Sequence, residues 1–132
     1  MTAATDPLRA LEEKIASGEA IVGVIGLGYV GLPLACTIAE RGLRAIGFDV
    51  DATKIAKLAR AETYIRHVPP ERLSKVVVPG RGATTLAAAR DAGFVPTADF
   101  EALRLCDAIL VCVPTPLTEG REPLDRRSRP VA

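Results

Sequence analysis

Ile21-Val22-Gly23-Val24-Ile25-Gly26-Leu27-Gly28-Tyr29-Val30-Gly31 is the stretch that decides the fold: an apolar run ends in G-x-G-x-x-G and opens into a helical pattern. A lone G-x-G-x-x-G is weak. Here it comes in order with a strand before it, a helix after it, a second strand over 44–49, and the acid Asp49 closing that strand. That is the context in which the motif binds a dinucleotide. Gly26 lets the chain turn out of the strand, Gly28 lets the backbone approach a pyrophosphate, and Gly31 lets the helix sit close to the sheet. The helix start adds free N–H groups and a partial positive charge. Asp49 has the spacing of an acid that accepts from the adenosine ribose hydroxyls. A carboxylate there repels a 2′-phosphate, so the cofactor expected is NAD rather than NADP. The competing reading is a Gly-rich turn in an α/β protein that binds no dinucleotide, which the ordered context argues against.

Outward from this core, Asp6-Pro7 opens a short amphipathic helix carrying Leu8, Leu11 and Ile15, with Gly18 as its stop. A strand at 21–26 and a helix at 29–41 follow, the helix burying Val30, Leu34 and Ile38 at i+4 spacing, with Ala35 and Ala39 beside them, and ending at Gly42. Asp51 reads as the N-cap of a helix over 51–61 with Ile55 and Leu58 on its apolar face. Pro69-Pro70 marks a loop, Glu71 to Val78 a short helix, and Pro79-Gly80-Arg81-Gly82 a break. Thr84 to Ala92 reads as a helix capped by Gly93, Phe94 to Thr97 as a weak strand, and Asp99 to Leu105 as a helix. Ala108 to Val113 is a continuous apolar run, as a strand covered on both faces requires, and Pro114-Thr115-Pro116 ends it.

Strands alternating with helices imply right-handed βαβ units and a parallel sheet. The expected class is α/β, a Rossmann-like parallel sheet with helices on both faces, incomplete because four strands make the first half of a doubly wound domain. The expected division is a leader helix at 1–20, an NAD-binding domain at 21–118 and an irregular tail at 119–132.

Composition narrows the partners. With 17 basic and 16 acidic residues the net charge is +1, and two Tyr, three Phe and no Trp leave little for base stacking, so nucleic acid is not expected. No apolar run is long enough to span a bilayer, and Met1 to Ala20 lack the apolar core of a signal peptide. The three cysteines have no metal spacing and no adjacent base, which suits reduced structural thiols in the cytoplasm. A bare sheet edge in a half-fold predicts self-association, so a homo-oligomer is possible.

Three residues beyond the fingerprint stay open on spacing alone. Thr115 follows the carboxyl end of the fourth strand, where ligands bind in open α/β sheets; a plain Pro-Thr-Pro turn explains it equally well. Lys54, in the first turn of its helix, reaches toward the ribose or a phosphate, or is a solvated lysine. His67, the only histidine, lies in a Pro-flanked loop with Tyr64 and Arg66, where a structural or solvated role is the ordinary one.

Val24-Ile25-Gly26-Leu27-Gly28-Tyr29-Val30-Gly31-Leu32-Pro33-Leu34-Ala35 resembles the opening of the UDP-glucose/GDP-mannose dehydrogenase family. So do Gly47-Phe48-Asp49-Val50-Asp51 with Lys54, and Val111-Cys112-Val113-Pro114-Thr115-Pro116-Leu117-Thr118. The leader helix and Tyr64-Ile65-Arg66-His67-Val68 look most like its bacterial UDP-N-acetylglucosamine 6-dehydrogenase branch. The resemblance implies oxidation of the C6 alcohol of a nucleotide sugar to a carboxylate with two NAD, by way of a cysteine thiohemiacetal and thioester. It implies that Leu27, Gly28, Tyr29 and Val30 cradle the diphosphate, that Asp49 and Lys54 hold the adenosine ribose, and that Thr115 lines the nicotinamide side.

Two departures limit the resemblance. The family's nucleophilic cysteine and its lysine lie far downstream, and Cys36, Cys106 and Cys112 match other positions, so no catalytic residue is expected in this chain, only weak NAD binding at most and no turnover. The family's R-E-P-D-L-S gives way to Arg121-Glu122-Pro123-Leu124-Asp125-Arg126-Arg127-Ser128-Arg129-Pro130, an Arg-rich tail that a frameshift, a truncated gene model or a natural short variant would produce. The other functional readings are an NAD-dependent β-hydroxyacid-type dehydrogenase domain and a non-catalytic nucleotide-binding module.

Overall fold

The structure is a computed structural model that describes residues 6–77, 82–89 and 91–113. Its elements, in chain order, are α1 (Pro7–Ser17), β1 (Ile21–Ile25), α2 (Gly31–Glu40), β2 (Arg44–Phe48), α3 (Ala52–Ala59), α4 (Pro70–Val76), α5 (Ala83–Ala88), β3 (Gly93–Thr97), a 3₁₀ turn (Phe100–Leu105) and β4 (Ala108–Val111). The four strands are parallel in the order β3-β2-β1-β4. The Rossmann-like fold expected from the motif order is the one observed. The chain runs β1 to β2 to β3 on one side, then returns to lay β4 on the other side of β1. That reversal leaves a crevice at the carboxyl ends of β1 and β4, the place where open α/β sheets bind ligands.

Strands β1, β2 and β3 are covered on both faces, their side chains alternating between the two. On one face Val24, Ala45 and Phe94 join Leu27, Leu32, Leu58 and Leu73. On the other Ile21, Ile46, Phe48 and Val95 join Leu86 and Ala102. Each fully buried Leu or Phe contributes about 1.5–3 kcal/mol, so the two layers carry the fold together.

Local signals in the sequence act as expected at several ends. Asp6 caps α1 by accepting from Leu8 N–H, with Pro7 at the first helical position and Gly18 closing the helix. Asp51 caps α3 by accepting from Thr53 and Lys54 N–H. Gly42 follows α2 as its terminating glycine, and Ile55 and Leu58 face the core.

Other expectations need correcting. Helix α2 starts at Gly31, and its buried stripe is Gly31, Leu32, Ala35, Cys36 and Ala39: Ala35 and Ala39 are buried as expected, but Leu32 and Cys36 take the places expected of Val30, Leu34 and Ile38. Val30 belongs to the loop and is 66% exposed; Leu34 and Ile38 are only half-buried. The small side chains on the true inner face let the helix lie close to the strands. Helix α5 stops at Ala88, because Ala89 turns extended and the Arg44 guanidinium takes the carbonyls of Ala87 and Ala89, both at 2.7 Å. Gly93 is therefore not a helix cap but the first residue of β3. Pro96 is tolerated in β3 because that strand lies at the sheet edge. Asp99 to Leu105 is a 3₁₀ turn rather than an α-helix, with Asp99 accepting from Glu101 N–H. Strand β4 is not covered on both faces: among the described residues it pairs with β1, and Ile109, Leu110 and Val111 are exposed. In α1, Leu8 and Ile15 are likewise exposed, and the helix is held instead by Lys14, whose ammonium meets Asp107 at 2.7 Å.

Thr115, the Pro114–Pro116 stop, the break at 79–81 and the tail at 119–132 lie outside the described residues. Among the described residues no helix is long and apolar enough to cross a membrane.

Candidate functional site

The glycine-rich loop leaves β1 at Gly26, whose φ of +94° is a left-handed conformation that L side chains rarely adopt. Its N–H donates to Phe48 O at 2.8 Å, and a Cβ there would stand 2.8 Å from Cys112 O. At Gly31 a Cβ would stand 1.6 Å from Gly26 O. Both glycines are therefore required by the loop's own backbone. Gly28 differs: a Cβ there meets nothing within 4 Å. The loop is bare at its middle glycine, which is the surface a diphosphate would cover. This fit is local to the protein and independent of any ligand.

Asp49 ends β2 and sits at the junction of two loops. Its Oδ2 accepts from Leu27 N–H at 3.0 Å and its Oδ1 from Asp51 N–H at 2.9 Å. Lys54 Nζ stands 4.0 Å from Oδ2. An ionised carboxylate offers about four acceptor positions, so two backbone donors leave capacity for ribose hydroxyls. Asp49 and Lys54 line one cavity of about 330 Å³ with Ile25, Gly26, Phe48, Phe100 and Val113. Its mostly apolar lining, with Asp49, Asp51 and Lys54 as the charged groups, suits an adenosine.

The structure thus brings Gly26, Leu27, Gly28, Gly31, Asp49 and Lys54 together, and puts Tyr29 and Val30 on the exposed rim of the same loop. Leu27 contributes through its backbone, because its side chain is fully buried against the Gly47 side of β2. Two neighbours carry no site role on sequence grounds: Tyr64 enters only as part of a motif, and His67 reads as structural or solvated. The Tyr64 hydroxyl donates to Leu27 O, and the His67 ring stacks on Tyr29 with centroids 5.8 Å apart. Their only signal was the Tyr64–Val68 motif, because contacts across 37 and 38 residues have no periodicity. Phe100, which lines the cavity, carried no signal either.

Two of the three cysteines are poor nucleophiles where they stand. Burial pushes the Cys36 and Cys106 thiols up to about 11, so both stay protonated near neutrality. Cys112 approaches Gly26 with its carbonyl. Among the described residues no group of three His, Cys, Asp or Glu is placed to hold a metal ion.

Residues 20–127 match the NAD-binding domain of the UDP-glucose/GDP-mannose dehydrogenase family, a match that runs past Pro123 into the Arg-rich segment. The chain is 36% identical over 104 residues to UDP-N-acetyl-D-mannosamine dehydrogenase of Escherichia coli K12, covering 79% of this chain and 21% of that protein. It is 32% identical over 102 residues to UDP-N-acetyl-D-glucosamine 6-dehydrogenase of Pseudomonas aeruginosa, covering 77% and 20%. A ternary complex of GDP-mannose dehydrogenase from Pseudomonas aeruginosa superposes with a TM-score of 0.59 at 28% identity, over 77% of this chain and 21% of that one. The chain thus spans about a fifth of the length of the curated relatives it matches. The glycine loop, its bare middle, the acid at the end of β2 and these matches converge: the chain belongs to the UDP-glucose/GDP-mannose dehydrogenase family, as its NAD-binding domain, and its cofactor is NAD.

Proposed function

We propose that this chain holds NAD at the carboxyl end of its sheet as the cofactor-binding part of a nucleotide-sugar 6-dehydrogenase. One observation carries the reading: the bare backbone at Gly28 stands beside a carboxylate, Asp49, that is anchored to the loop and still faces a cavity. In this reading Gly26 and Gly31 shape the loop, and the α2 N-terminus and Gly28 receive the diphosphate. Asp49 accepts from the adenosine ribose hydroxyls, with Lys54 beside it, and its charge excludes a 2′-phosphate. Tyr29 and Val30 wall the diphosphate from outside, and Thr115, following β4, belongs on the nicotinamide side. Bound here, NAD supplies the hydride acceptor for a sugar alcohol.

The substrate proposed is a UDP-linked N-acetyl sugar, UDP-N-acetylglucosamine or a relative, on the strength of the similar proteins' names and the Tyr64–Val68 motif. The compartment proposed is the cytoplasm, where the cysteines stay thiols. The 132-residue chain by itself is proposed to bind NAD without oxidising the sugar, since neither Cys36 nor Cys106 is a thiolate near neutrality.

Calorimetric titration with NAD and NADP tests the cofactor site. NAD binds at one site, NADP binds at least tenfold more weakly, and Asp49→Ala loses most of the NAD affinity, where tenfold corresponds to about 1.4 kcal/mol. Absence of NAD binding, or equal affinity for NADP, refutes the reading. NAD reduction on adding UDP-N-acetylglucosamine to the chain alone refutes the division between binding and chemistry.

A further inference from the structure

The segment 63–68 lies outside the fingerprint, yet two of its side chains end on the glycine-rich loop. It is itself well anchored. Ile65 and Val68 are buried in the core, and the Thr63 hydroxyl accepts from Ile65 N–H and donates to Ile65 O. From this base the Tyr64 hydroxyl donates to Leu27 O. On the other side of the same residue, Leu27 N–H donates to Asp49 Oδ2. Leu27 is held at both of its peptide groups, and its side chain is fully buried.

A trans peptide points its C=O and N–H in opposite directions. Fixing Leu27 C=O on Tyr64 therefore turns the Gly28 N–H away from Tyr64, at the one glycine of the loop over which the chain is open. The Tyr64 ring has a second task. Lys54 Nζ lies 5.4 Å from its centroid while standing 4.0 Å from Asp49, so an aromatic face and a carboxylate together fix the ammonium. Burial, and then the charges of Asp49 and Asp51, push the Tyr64 hydroxyl well above its ordinary value, so it remains a donor.

We infer that Tyr64 is a positioning residue for NAD: its hydroxyl orients the Leu27–Gly28 peptide toward the diphosphate, and its ring seats Lys54 beside the ribose-binding carboxylate. This rests on the proposed cofactor site and deepens it.

The test titrates the chain with NAD, ADP and adenosine, following backbone amide signals. Tyr64→Phe keeps the ring and removes the hydroxyl. Loss of one hydrogen bond that orients the peptide weakens NAD and ADP about five- to tenfold. Adenosine, which has the ribose but no phosphate, binds this variant as it binds the parent. The Gly28 amide loses most of its ADP-induced shift. Equal weakening of ADP and adenosine would mean a merely structural role and overturns the inference, as does unchanged ADP affinity with the Gly28 shift intact. Tyr64→Leu also removes the ring, and adenosine binding then weakens too; adenosine binding at the parental level in that variant overturns the ring's role. A parent chain that binds neither NAD nor ADP refutes the cofactor site itself, and this inference with it. A parent that binds both, beside an indistinguishable Tyr64→Phe, refutes only the role of Tyr64.

Discussion

The two ends of the sheet carry similar polar groups, put to different uses. At the amino end Arg44 donates to the carbonyls of Ala87, Ala89 and Glu19, and Asp107 accepts from Ile21 N–H at 2.9 Å and from Lys14 at 2.7 Å. Apart from Arg44 Nε, which is buried without a partner, these groups are engaged by the protein itself, closing α5 and tying α1 to β1. At the carboxyl end Asp49 is also bonded to backbone, but it lines a cavity beside a glycine with open space over it. The amino-end cavity between Lys14, Glu19, Arg44 and Ala89 is the larger, about 440 Å³ against about 330 Å³. Size therefore does not mark the site. What marks it is backbone that nothing covers at Gly28, beside a carboxylate anchored to the same loop.

That contrast predicts a separation between stability and affinity. The largest effect comes from Gly31→Ala, because its Cβ would overlap Gly26 O at 1.6 Å. We expect a loss of about 4 kcal/mol or more, seen as a chain with no cooperative melt by circular dichroism. This variant shows that the carboxyl end also contains glycines the fold needs. Next, Asp107→Ala should lower stability by about 1–3 kcal/mol by leaving Ile21 N–H unpaired and leave NAD affinity unchanged; a denaturant titration and calorimetry read the two. Gly28→Ala should do the reverse, with an unchanged melt and NAD affinity reduced at least tenfold, about 1.4 kcal/mol.

The smallest effects follow pH. Burial raises the Asp107 carboxyl, but the hydrogen bonds from Lys14 and Ile21 outweigh it and leave the group below its ordinary value. Its stabilisation is complete above the unfolded carboxyl's pKa of about 3.9 and is lost as pH falls through the lower folded value. The stability gap between parent and Asp107→Ala should therefore shrink on acidification below that point. Cys36 and Cys106 act at the other extreme. Burial holds them at about 11 against an ordinary 9.0, so the unfolded chain ionises first and stability falls between those values. Melts of Cys36→Ala and Cys106→Ala across that interval should show a shallower loss than the parent.

The legibility of the molecule follows the range of its interactions. Strands β1 and β2, the loop between β1 and α2, and the Asp51 cap were legible because each is written in consecutive or nearly consecutive residues. The inner face of α2 was only partly legible: Ala35 and Ala39 lie on it as expected, but Leu32 and Cys36 are missed by an i+4 series that starts at Val30, a residue of the loop. The exposure of β4 was not legible either: an apolar run such as Ala108–Val111 has the same spelling whether or not a neighbour covers it. Asp49 was found by its spacing, but its bond to Leu27 N–H bridges 22 residues, and the Tyr64 bond to Leu27 O bridges 37. Such contacts are set by packing, not by period.

The most direct test of the carboxyl-end site is a calorimetric titration of NAD into the parent chain and into Gly28→Ala, both first shown to melt alike. A parent that binds and a variant at least tenfold weaker is the result expected of a bare glycine that receives the diphosphate. Equal affinity in the two, or no affinity in a well-folded parent, would contradict it.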